Sequence, residues 1–444
     1  MTEHRLPPGP KARRFRGFLP EFRQDPLALF TWAAREYGDI ARLQLGPWNF
    51  FLLNHPDHIE QVLVTQNRAF GKGRGLEASS PLLGNGLLTS QGEFWRRQRR
   101  LAQPAFHKDR IVAYGTTMTD FALRHIEPWQ DGCHLDILRE MMRLTLAVAA
   151  KTLFSTDVTH DADSVGDALN VTVHYFQDRN ASMIKIPFGW PTPANVKLRK
   201  AVSQLDSIIY RIIDQRRAGG QDTGDLLSML MHAVDEDGSR MTAKQLRDEA
   251  MTLFLAGHET TANCLAWTWY LLGQNPAAEA RLHQEIETVL GGRAPTPADL
   301  PGLPYVEAVI NESMRLYPPA WIMGRKSTAP FELGGYSFPA GTEVLMSQWV
   351  MHRHPRWFED PLTFRPERWQ GGLAKQLPAF AYFPFGGGPR MCIGKGFALM
   401  EAQLLLATIA RQFRFELAPG QAVVPDPSIT LRPRGAINVI AHRR

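Results

Sequence analysis

The stretch that decides the fold of this chain reads Phe385-Gly-Gly-Gly-Pro-Arg390-Met-Cys392-Ile-Gly394. Its glycines let backbone amides approach a sulfur atom closely, because no Cβ intervenes. Amides that donate to a thiolate tune the electron donation and the potential of a metal bound to it. A helix predicted to begin near Gly396 turns its positive end towards the same sulfur. The pattern therefore favours a metal-binding thiolate at Cys392 over a structural cysteine.

Two other glycine-rich motifs fail on the same residues. A phosphate-binding Walker loop requires a glycine five positions before the Gly394-Lys395 pair, where Pro389 stands, and Ser or Thr at the position of Gly396. A dinucleotide-binding fingerprint requires its third glycine at the position of Met391. The loop therefore matches neither of these nucleotide-binding motifs.

The spacing Phe385-x-x-Gly388-x-Arg390-x-Cys392-x-Gly394 resembles the haem-binding signature of the cytochrome P-450 family. The resemblance implies that Cys392 ligates the iron of haem b (iron protoporphyrin IX) as a thiolate. It also implies that Phe385 packs near the sulfur and that Arg390 contacts a haem propionate.

A second motif lies in the strongest predicted helix, which runs from Thr242 to Leu272. Thr242 is a good N-cap, Gln245 completes a capping box, and no proline interrupts the run before Pro276. The middle of the helix is apolar nearly all round, which predicts a path through the core.

This helix carries Ala256-Gly-His-Glu-Thr-Thr261. A zinc-protease motif fails, because Ala262 stands where the second histidine is required. Ala256 begins a thin wall that a flat group can approach, and the Thr260 hydroxyl can bond back to the helix or hold a water. For Glu259 and Thr260, a buried polar pair with a packing role is the alternative to a catalytic pair.

The same stretch is similar to the oxygen-activating helix of the P-450 family. The resemblance implies that Glu259 and Thr260 are the catalytic acid and alcohol that deliver protons during oxygen activation. It also implies that Ala256 lies against the cofactor.

A third motif is Glu312-Ser-Met-Arg315, whose charged residues share one helix face. With Phe364-Arg-Pro-Glu-Arg368-Trp369 downstream, it resembles the family's buried Glu–Arg–Arg network. The resemblance implies a structural role for Glu312, Arg315 and Arg368, which pin the irregular stretch before the cysteine loop. The family commonly has phenylalanine where Trp369 stands.

The fourth motif is Trp95-x-x-x-Arg99, inside the basic run from Arg96 to Arg100. By resemblance, Trp95 and Arg99 donate to a haem propionate, and Arg325 makes a third such contact. The remaining basic residues suit an acidic electron donor, a ferredoxin or flavodoxin with its reductase. A merely solvated helix face is the alternative, and no nucleic-acid-binding motif accompanies the cluster.

The element pattern predicts a mainly α protein with small β-sheets (α+β), and the resemblance implies the P-450 fold. No linker, repeat or low-complexity block divides the 444 residues, so one domain over 1–444 is expected. We expect a helix-rich body and a small β-rich subdomain. Its strands come from the N-terminal region, from segments around 325–345 and from the C-terminus.

Composition bounds where the protein works. Three scattered cysteines fit no disulfide framework and suit a reducing compartment, so the cytoplasm is expected. The first fifty residues contain no apolar run long enough to span a bilayer and no secretory pattern, so no membrane anchor is expected. The resembling motifs stop before any flavin or iron–sulfur domain, so electrons are expected from separate proteins. A monomer is expected.

The resemblance places a substrate cavity over the haem face opposite Cys392. Its expected apolar wall residues are Leu88, Leu255, Ala256, Ala320, Ile322 and Leu431. Such a wall suits a fatty acid, terpenoid, carotenoid or steroid. The expected function is a haem-thiolate monooxygenase that uses O₂ and two electrons to hydroxylate an apolar small molecule. A peroxide-driven haem peroxygenase and a non-catalytic haem-binding sensor are the alternatives.

Overall fold

The computed structural model describes residues 6–11, 16–158, 161–180, 182, 186–220, 222–234, 238 and 240–444. Most of the described chain is helical. The helices are α1 (Leu19–Gln24), α2 (Pro26–Tyr37), α3 (Pro56–Glu60), α4 (Arg74–Glu77), α5 (Ser80–Leu83), α6 (Gly92–Ala102), α7 (Lys108–Ile126), α8 (Ile137–Phe154), α9 (Ala162–Asn180), α10 (Pro193–Gly219), α11 (Leu226–His232), α12 (Ala243–Gln274), α13 (Pro276–Leu290), α14 (Pro304–Leu316), α15 (Gln348–Met351), α16 (Leu373–Gln376) and α17 (Lys395–Ala410).

The strands form small sheets. They are β1 (Ile40–Leu45), β2 (Trp48–Leu53), β3 (Phe70–Lys72), β4 (Cys133–Asp136), β5 (Met323–Ser327), β6 (Phe331–Leu333), β7 (Tyr336–Phe338), β8 (Glu343–Met346), β9 (Phe413–Leu417), β10 (Pro425–Pro427), β11 (Leu431–Pro433) and β12 (Asn438–Arg443). A five-stranded sheet has the order β1-β2-β8-β5-β3, and a three-stranded sheet has the order β4-β12-β9. Strand pairs β6-β7 and β10-β11 are hairpins. The predicted class, mainly α with small sheets, is confirmed.

The long central helix α12 forms where the capping box predicted it. The Thr242 hydroxyl accepts from the Gln245 amide at 3.2 Å, and the Gln245 side chain accepts from the Thr242 amide at 2.7 Å. Helix α12 then crosses the main core and packs against α8, α14 and α17. Its buried indoles, Trp267 and Trp269, are fully inaccessible to solvent. An apolar helix of this length needs such a core on every side.

The last helix ends earlier than the sequence pattern suggested. The apolar pattern favoured a helix from Gly396 to Phe413, whereas α17 ends at Ala410 and Phe413 begins β9. Phe413 pairs with Arg443 in the antiparallel β9-β12 ladder and is fully buried. Tertiary pairing therefore overrides the local apolar pattern at this end.

The five-stranded sheet contains the N-terminal strands and segments 323–327 and 343–346, but no C-terminal strand. The C-terminal strands lie in other sheets, and the β-rich subdomain with a C-terminal contribution stays a prediction. The C-terminal hairpin instead touches the β-rich part through Leu431, which packs in one core cluster with Leu43 and Leu52. The single domain over 1–444 stays a prediction.

Each helix within the described part of the chain is too short or too polar to cross a membrane.

Candidate functional site

The cysteine loop is built on glycine positions that no other residue fits. Gly386 and Gly388 have φ angles of 70° and 64°, in the left-handed region. A Cβ on Gly388 lies 1.9 Å from the carbonyl oxygen of Leu63, so the loop rests directly on the chain after α3. The Cys392 amide donates to the Phe385 carbonyl at 3.0 Å, which closes the loop just before α17. The turn is therefore rigid where the sulfur is presented.

The thiol of Cys392 faces a large internal cavity, and its side chain is accessible only from there. Burial raises the pKa of this thiol, while the Gly394 amide and the charges of Arg99 and Lys395 lower it. A coordinating metal removes the thiol proton outright. Burial is the larger influence and favours the neutral thiol, so the thiolate depends on the metal that coordinates it.

Three cations line the same cavity, two of them buried and Arg390 partly buried, and we call Lys72, Arg325 and Arg390 the cation cluster. Lys72 and Arg325 are paired in the β3-β5 register and are 8% and 7% exposed. Burial and the charges of Arg325 and Arg390 hold the pKa of Lys72 well below its usual value. Burial lowers the pKa of Arg325 and Arg390 to about 10.

Across the described ranges, no carboxylate forms an ion pair with any member of the cation cluster. Their protein contacts are carbonyls and a ring: Arg325 donates to Gly324, and Arg390 donates to Ser90 and lies 4.2 Å from the Trp95 ring centre. Buried like charges without counter-ions are costly. The cavity is therefore prepared for an anionic group that reaches all three.

Arg99 lies on α6 beside the cysteine loop. Its Nη1 donates to the Met391 carbonyl at 2.8 Å and its Nε donates to Gln103 at 3.1 Å. Trp95, one turn earlier, is 9% exposed and also lines the cavity. The structure thus brings Trp95, Arg99, Arg325 and Arg390 around one space, and it joins Arg99 to the residue before Cys392.

Helix α12 forms the wall opposite the cysteine loop. Ala256 is exposed to the cavity, and the Thr260 hydroxyl donates back to the Ala256 carbonyl at 2.8 Å. The helix stays α-helical through this bond. Glu259 accepts from the Thr430 hydroxyl at 2.5 Å. Burial raises the pKa of Glu259, while Thr430 and the charge of Arg432 lower it.

The Glu312–Arg315–Arg368 contacts, which we call the glutamate network, are complete within the protein. Arg315 binds both oxygens of Glu312 at 2.8 Å, and Arg368 binds Oε1 at 2.9 Å. The Arg365 amide donates to the same Oε1 at 2.9 Å. Trp369 Nε1 donates to Oε2 at 2.9 Å, a bond that phenylalanine cannot make. The departure at position 369 therefore adds a fifth donor to one buried carboxylate.

The cavity between α12 and the cysteine loop has a volume of about 1120 Å³ and mostly apolar walls. Phe385 and the catalytic candidates Glu259 and Thr260 line it. Five of the predicted wall residues also line it, namely Leu88, Leu255, Ala256, Ala320 and Ile322. Helix α9 adds apolar wall residues such as Val173 and Phe176, which sequence reasoning missed because their spacing looks like ordinary core.

The prediction that Leu431 lines this cavity is wrong. Leu431 is fully buried and packs with Leu43 and Leu52, on the side of the hairpin away from the cavity. Residues 427–430 face the cavity instead. Residues 428–430 form a bend before β11 begins, so the chain leaves the cavity wall and enters the core at Leu431.

Two polar residues of the site were also missed. Lys72 stands in Phe-Gly-Lys-Gly and Thr430 lies in a turn, and neither belongs to a recognised motif. The signal for Lys72 is its pairing with Arg325 across β3 and β5, which exists only in the folded sheet. No local pattern could have found either residue.

The residues around the cavity fit a haem. A thiol lies on a rigid turn, three unpaired cations suit two propionates, and the small side chain of Ala256 leaves room for a flat ring. The Cβ position of Gly257 lies 3.5 Å from Leu153 on α8. The part of the chain that the structure describes holds no cluster of three or more metal-ligating side chains.

Comparison with known proteins agrees with this geometry. The family model described as Cytochrome P450 matches residues 7–438. Cyclooctatin synthase of Streptomyces melanosporofaciens is 42% identical over 402 residues, which cover 89% of this chain and 87% of the relative. Cyclooctat-9-en-7-ol 5-monooxygenase of the same organism is 42% identical, with 86% and 84% covered. Pentalenene oxygenase of Streptomyces avermitilis is 34% identical, with 96% and 95% covered.

The chain belongs to the cytochrome P450 family. It is a haem-dependent monooxygenase that acts on an apolar small molecule and takes electrons from a redox partner.

Proposed function

We propose that this protein hydroxylates a terpenoid, with haem b held by Cys392 and by the cation cluster. The cavity of about 1120 Å³ would hold both the haem and a substrate, and its mostly apolar walls suit a cyclic hydrocarbon. The names of relatives that are 42% and 34% identical point to cyclooctat-9-en-7-ol and pentalenene, which are compounds of this class. The observation that carries the cofactor assignment is the cation cluster, which has no counter-ion among the described residues and lies beside a cysteine turn.

Each part of the cavity has its own task. Cys392 would ligate the iron, and Lys72, Arg325, Arg390, Trp95 and Arg99 would hold the propionates. The bound haem supplies the oxygen-activating chemistry. The apolar walls bind the substrate and exclude water, which limits unproductive loss of electrons.

Glu259 and Thr260 handle protons at the wall of α12. Burial raises the pKa of Glu259, which favours the protonated carboxyl that can pass a proton on. The Thr260 hydroxyl is held by the Ala256 carbonyl and so presents its oxygen towards the cavity. Glu259 thus supplies a carboxyl that can donate a proton, and the neighbouring Thr260 supplies a hydroxyl that can accept a hydrogen bond.

The electron donor is proposed to be an acidic ferredoxin or flavodoxin. Arg96 and Arg100 are exposed on α6, and Arg99 of the same helix contacts the carbonyl beside Cys392. A positive face next to the sulfur steers an acidic partner, so raised salt should slow reduction by such a donor. The monomeric state and the cytoplasmic location stay predictions.

The absorption spectrum of the reduced protein with carbon monoxide tests the cofactor assignment. We expect a strongly red-shifted Soret band that is lost in Cys392→Ala and retained in Cys133→Ala, whose cysteine lies in β4 away from the cavity. A folded Cys392→Ala protein with an unchanged band would overturn the assignment. A panel of cyclic terpenoids, read by the shift in ferric spin state, then tests the substrate class.

Thr260→Ala tests the proton route. We expect the fraction of electrons that reach product to fall by about tenfold or more, with the excess released as peroxide or water. Thr268→Ala is the matched control, because Thr268 makes the same bond to the carbonyl four residues earlier but does not line the cavity. Equal coupling in the two variants would contradict the role of Thr260.

A further inference from the structure

One wall of the cavity consists of the end of α5 and the loop that follows it. Residues 82–88, which we call the wall loop, contribute Leu82, Leu83, Leu87 and Leu88 to the cavity lining. Three of these leucines are less than 9% exposed. The position of this backbone therefore sets the shape of the space that a bulky substrate meets.

Three consecutive charged residues of α12 hold the wall loop. Arg247 Nη1 donates to the Leu82 carbonyl at 2.7 Å. Asp248 Oδ2 accepts from the Asn85 amide at 3.0 Å, and Glu249 Oε2 accepts from the Leu87 amide at 3.0 Å. All three charged side chains are buried. Each binds main-chain atoms, so the contacts fix the path of the loop whatever its side chains are.

The wall loop lies so close to α12 that it needs glycine at two positions. A Cβ on Gly84 would lie 2.1 Å from the carboxyl carbon of Asp248, and Gly84 has a φ of 56°. A Cβ on Gly86 would lie 2.2 Å from the Thr252 hydroxyl. The loop and the first turns of α12 thus form one close-packed surface.

The three holding residues differ in how their charges are balanced. Arg247 forms ion pairs with Asp206 and Asp248, and Asp248 also binds Lys244 at 2.7 Å. Glu249 has no such cation among the described residues, and its Oε1 accepts no hydrogen bond there. Burial raises the pKa of Glu249 to about 7, while the Leu87 amide lowers it. The wall loop therefore supplies one hydrogen bond to the Glu249 carboxyl, and its donor is the Leu87 amide.

We propose that Arg247, Asp248 and Glu249 are positioning residues that clamp the wall loop on α12 and so set which bulky ligands the cavity accepts. The proposal rests on the haem-bearing cavity proposed above. When the bond from Leu87 to Glu249 is lost, an unpaired buried amide favours movement of the loop. Leu87 and Leu88 then lose their place in the wall, while the turn around Cys392 is unchanged.

Two iron-binding probes separate the wall from the haem. 4-Phenylimidazole carries a phenyl ring that extends beyond the iron-binding imidazole, whereas imidazole itself has no such extension. In the holoenzyme we expect Glu249→Leu to weaken 4-phenylimidazole binding by about tenfold, the equivalent of one lost hydrogen bond to a buried group. Imidazole binding should change by less than about twofold. Glu249→Gln should restore most of the affinity, because its amide oxygen can accept from Leu87.

Amide hydrogen exchange of the peptide 82–89 gives a second readout that needs neither turnover nor ligand. We expect faster exchange in Glu249→Leu and near wild-type exchange in Glu249→Gln. Glu285→Leu is the matched control, since Glu285 also accepts two backbone amides, those of Tyr305 and Val306, but lies away from the cavity.

Several outcomes overturn the clamp. Unchanged exchange in Glu249→Leu does so, as does an equal loss of 4-phenylimidazole affinity in Glu285→Leu. If the wild-type protein binds neither probe spectrally, the haem assignment fails instead. The exchange measurement then still decides whether Glu249 holds the wall loop.

Discussion

Two groups of buried cations in this protein have opposite balances of charge. In the glutamate network, Arg315 and Arg368 surround one carboxylate, Glu312, which accepts five hydrogen bonds. In the cation cluster, Lys72 and its two arginine neighbours form no ion pair with any carboxylate of the described chain. Most members of both groups are buried, and Arg390 is partly buried. Of the two, the glutamate network has its counter-ion within the protein.

The difference separates structure from ligand binding. A buried cation with a buried counter-ion already has its partner, so Arg315 and Arg368 have no capacity left for a ligand. The charges of Lys72, Arg325 and Arg390 oppose one another, and the pKa of each lies below its ordinary value. Folding alone does not favour this arrangement. It is favourable once an anionic group arrives, which is the condition that a haem fulfils.

The largest expected effect comes from removing the counter-ion of the complete group. Glu312→Gln leaves Arg315 and Arg368 buried without a carboxylate, and we expect a loss of about 3–5 kcal/mol in the free energy of unfolding. Urea unfolding followed by circular dichroism measures it, with the exposed Glu287→Gln on α13 as control. A loss below about 1 kcal/mol would show that the two groups do not differ as described.

A smaller effect is expected from Trp369→Phe, which restores the residue common in the family. The change removes the indole bond to Glu312 Oε2 but keeps both arginines, so we expect a loss of about 2 kcal/mol. The same unfolding measurement applies. Trp190→Phe is the control, because Trp190 is 63% exposed. If both substitutions have equal effects, the fifth donor does not stabilise the network.

The cation cluster should respond in cofactor retention. Lys72→Met removes one of three charges, and we expect haem transfer to haem-free myoglobin to become about tenfold faster, or about 1.4 kcal/mol. Lys326→Met is the control on the neighbouring strand, where the lysine is only partly buried. Unfolding by urea should not show a loss like that of Glu312→Gln. Slower or unchanged transfer would contradict the proposed role of Lys72.

The smallest effect is a pH dependence of the same transfer. Without an anion, burial and two arginines keep the pKa of Lys72 well below its usual value. A bound propionate favours the charged lysine and raises that pKa. Haem is therefore held best below the lower pKa, and the affinity falls as pH rises from the lower value towards the higher one. Transfer rates measured between about pH 7 and pH 10 should rise in the wild type and stay flatter in Lys72→Met.

Local motifs made much of this protein predictable from its sequence. The capping box of Thr242 and Gln245 is a contact three residues long, so it forms wherever that helix starts. The turn before Cys392 depends on glycines that tolerate positive φ, and Glu312 meets Arg315 because they are three residues apart on one helix. In each case the partners are neighbours along the chain, so their spacing alone specifies the geometry.

Other parts of the site were decided only by tertiary structure. Lys72 meets Arg325 through a strand pairing across about 250 residues of chain, and Thr430 meets Glu259 across 171. Leu431 packs in the core rather than in the cavity wall because the chain bends over residues 428–430 and then pairs with β10. Partners so far apart along the chain have no characteristic spacing in the sequence that would reveal their contact. Their contacts come from the packing of whole elements, which buries charges together and leaves the cation cluster without a counter-ion.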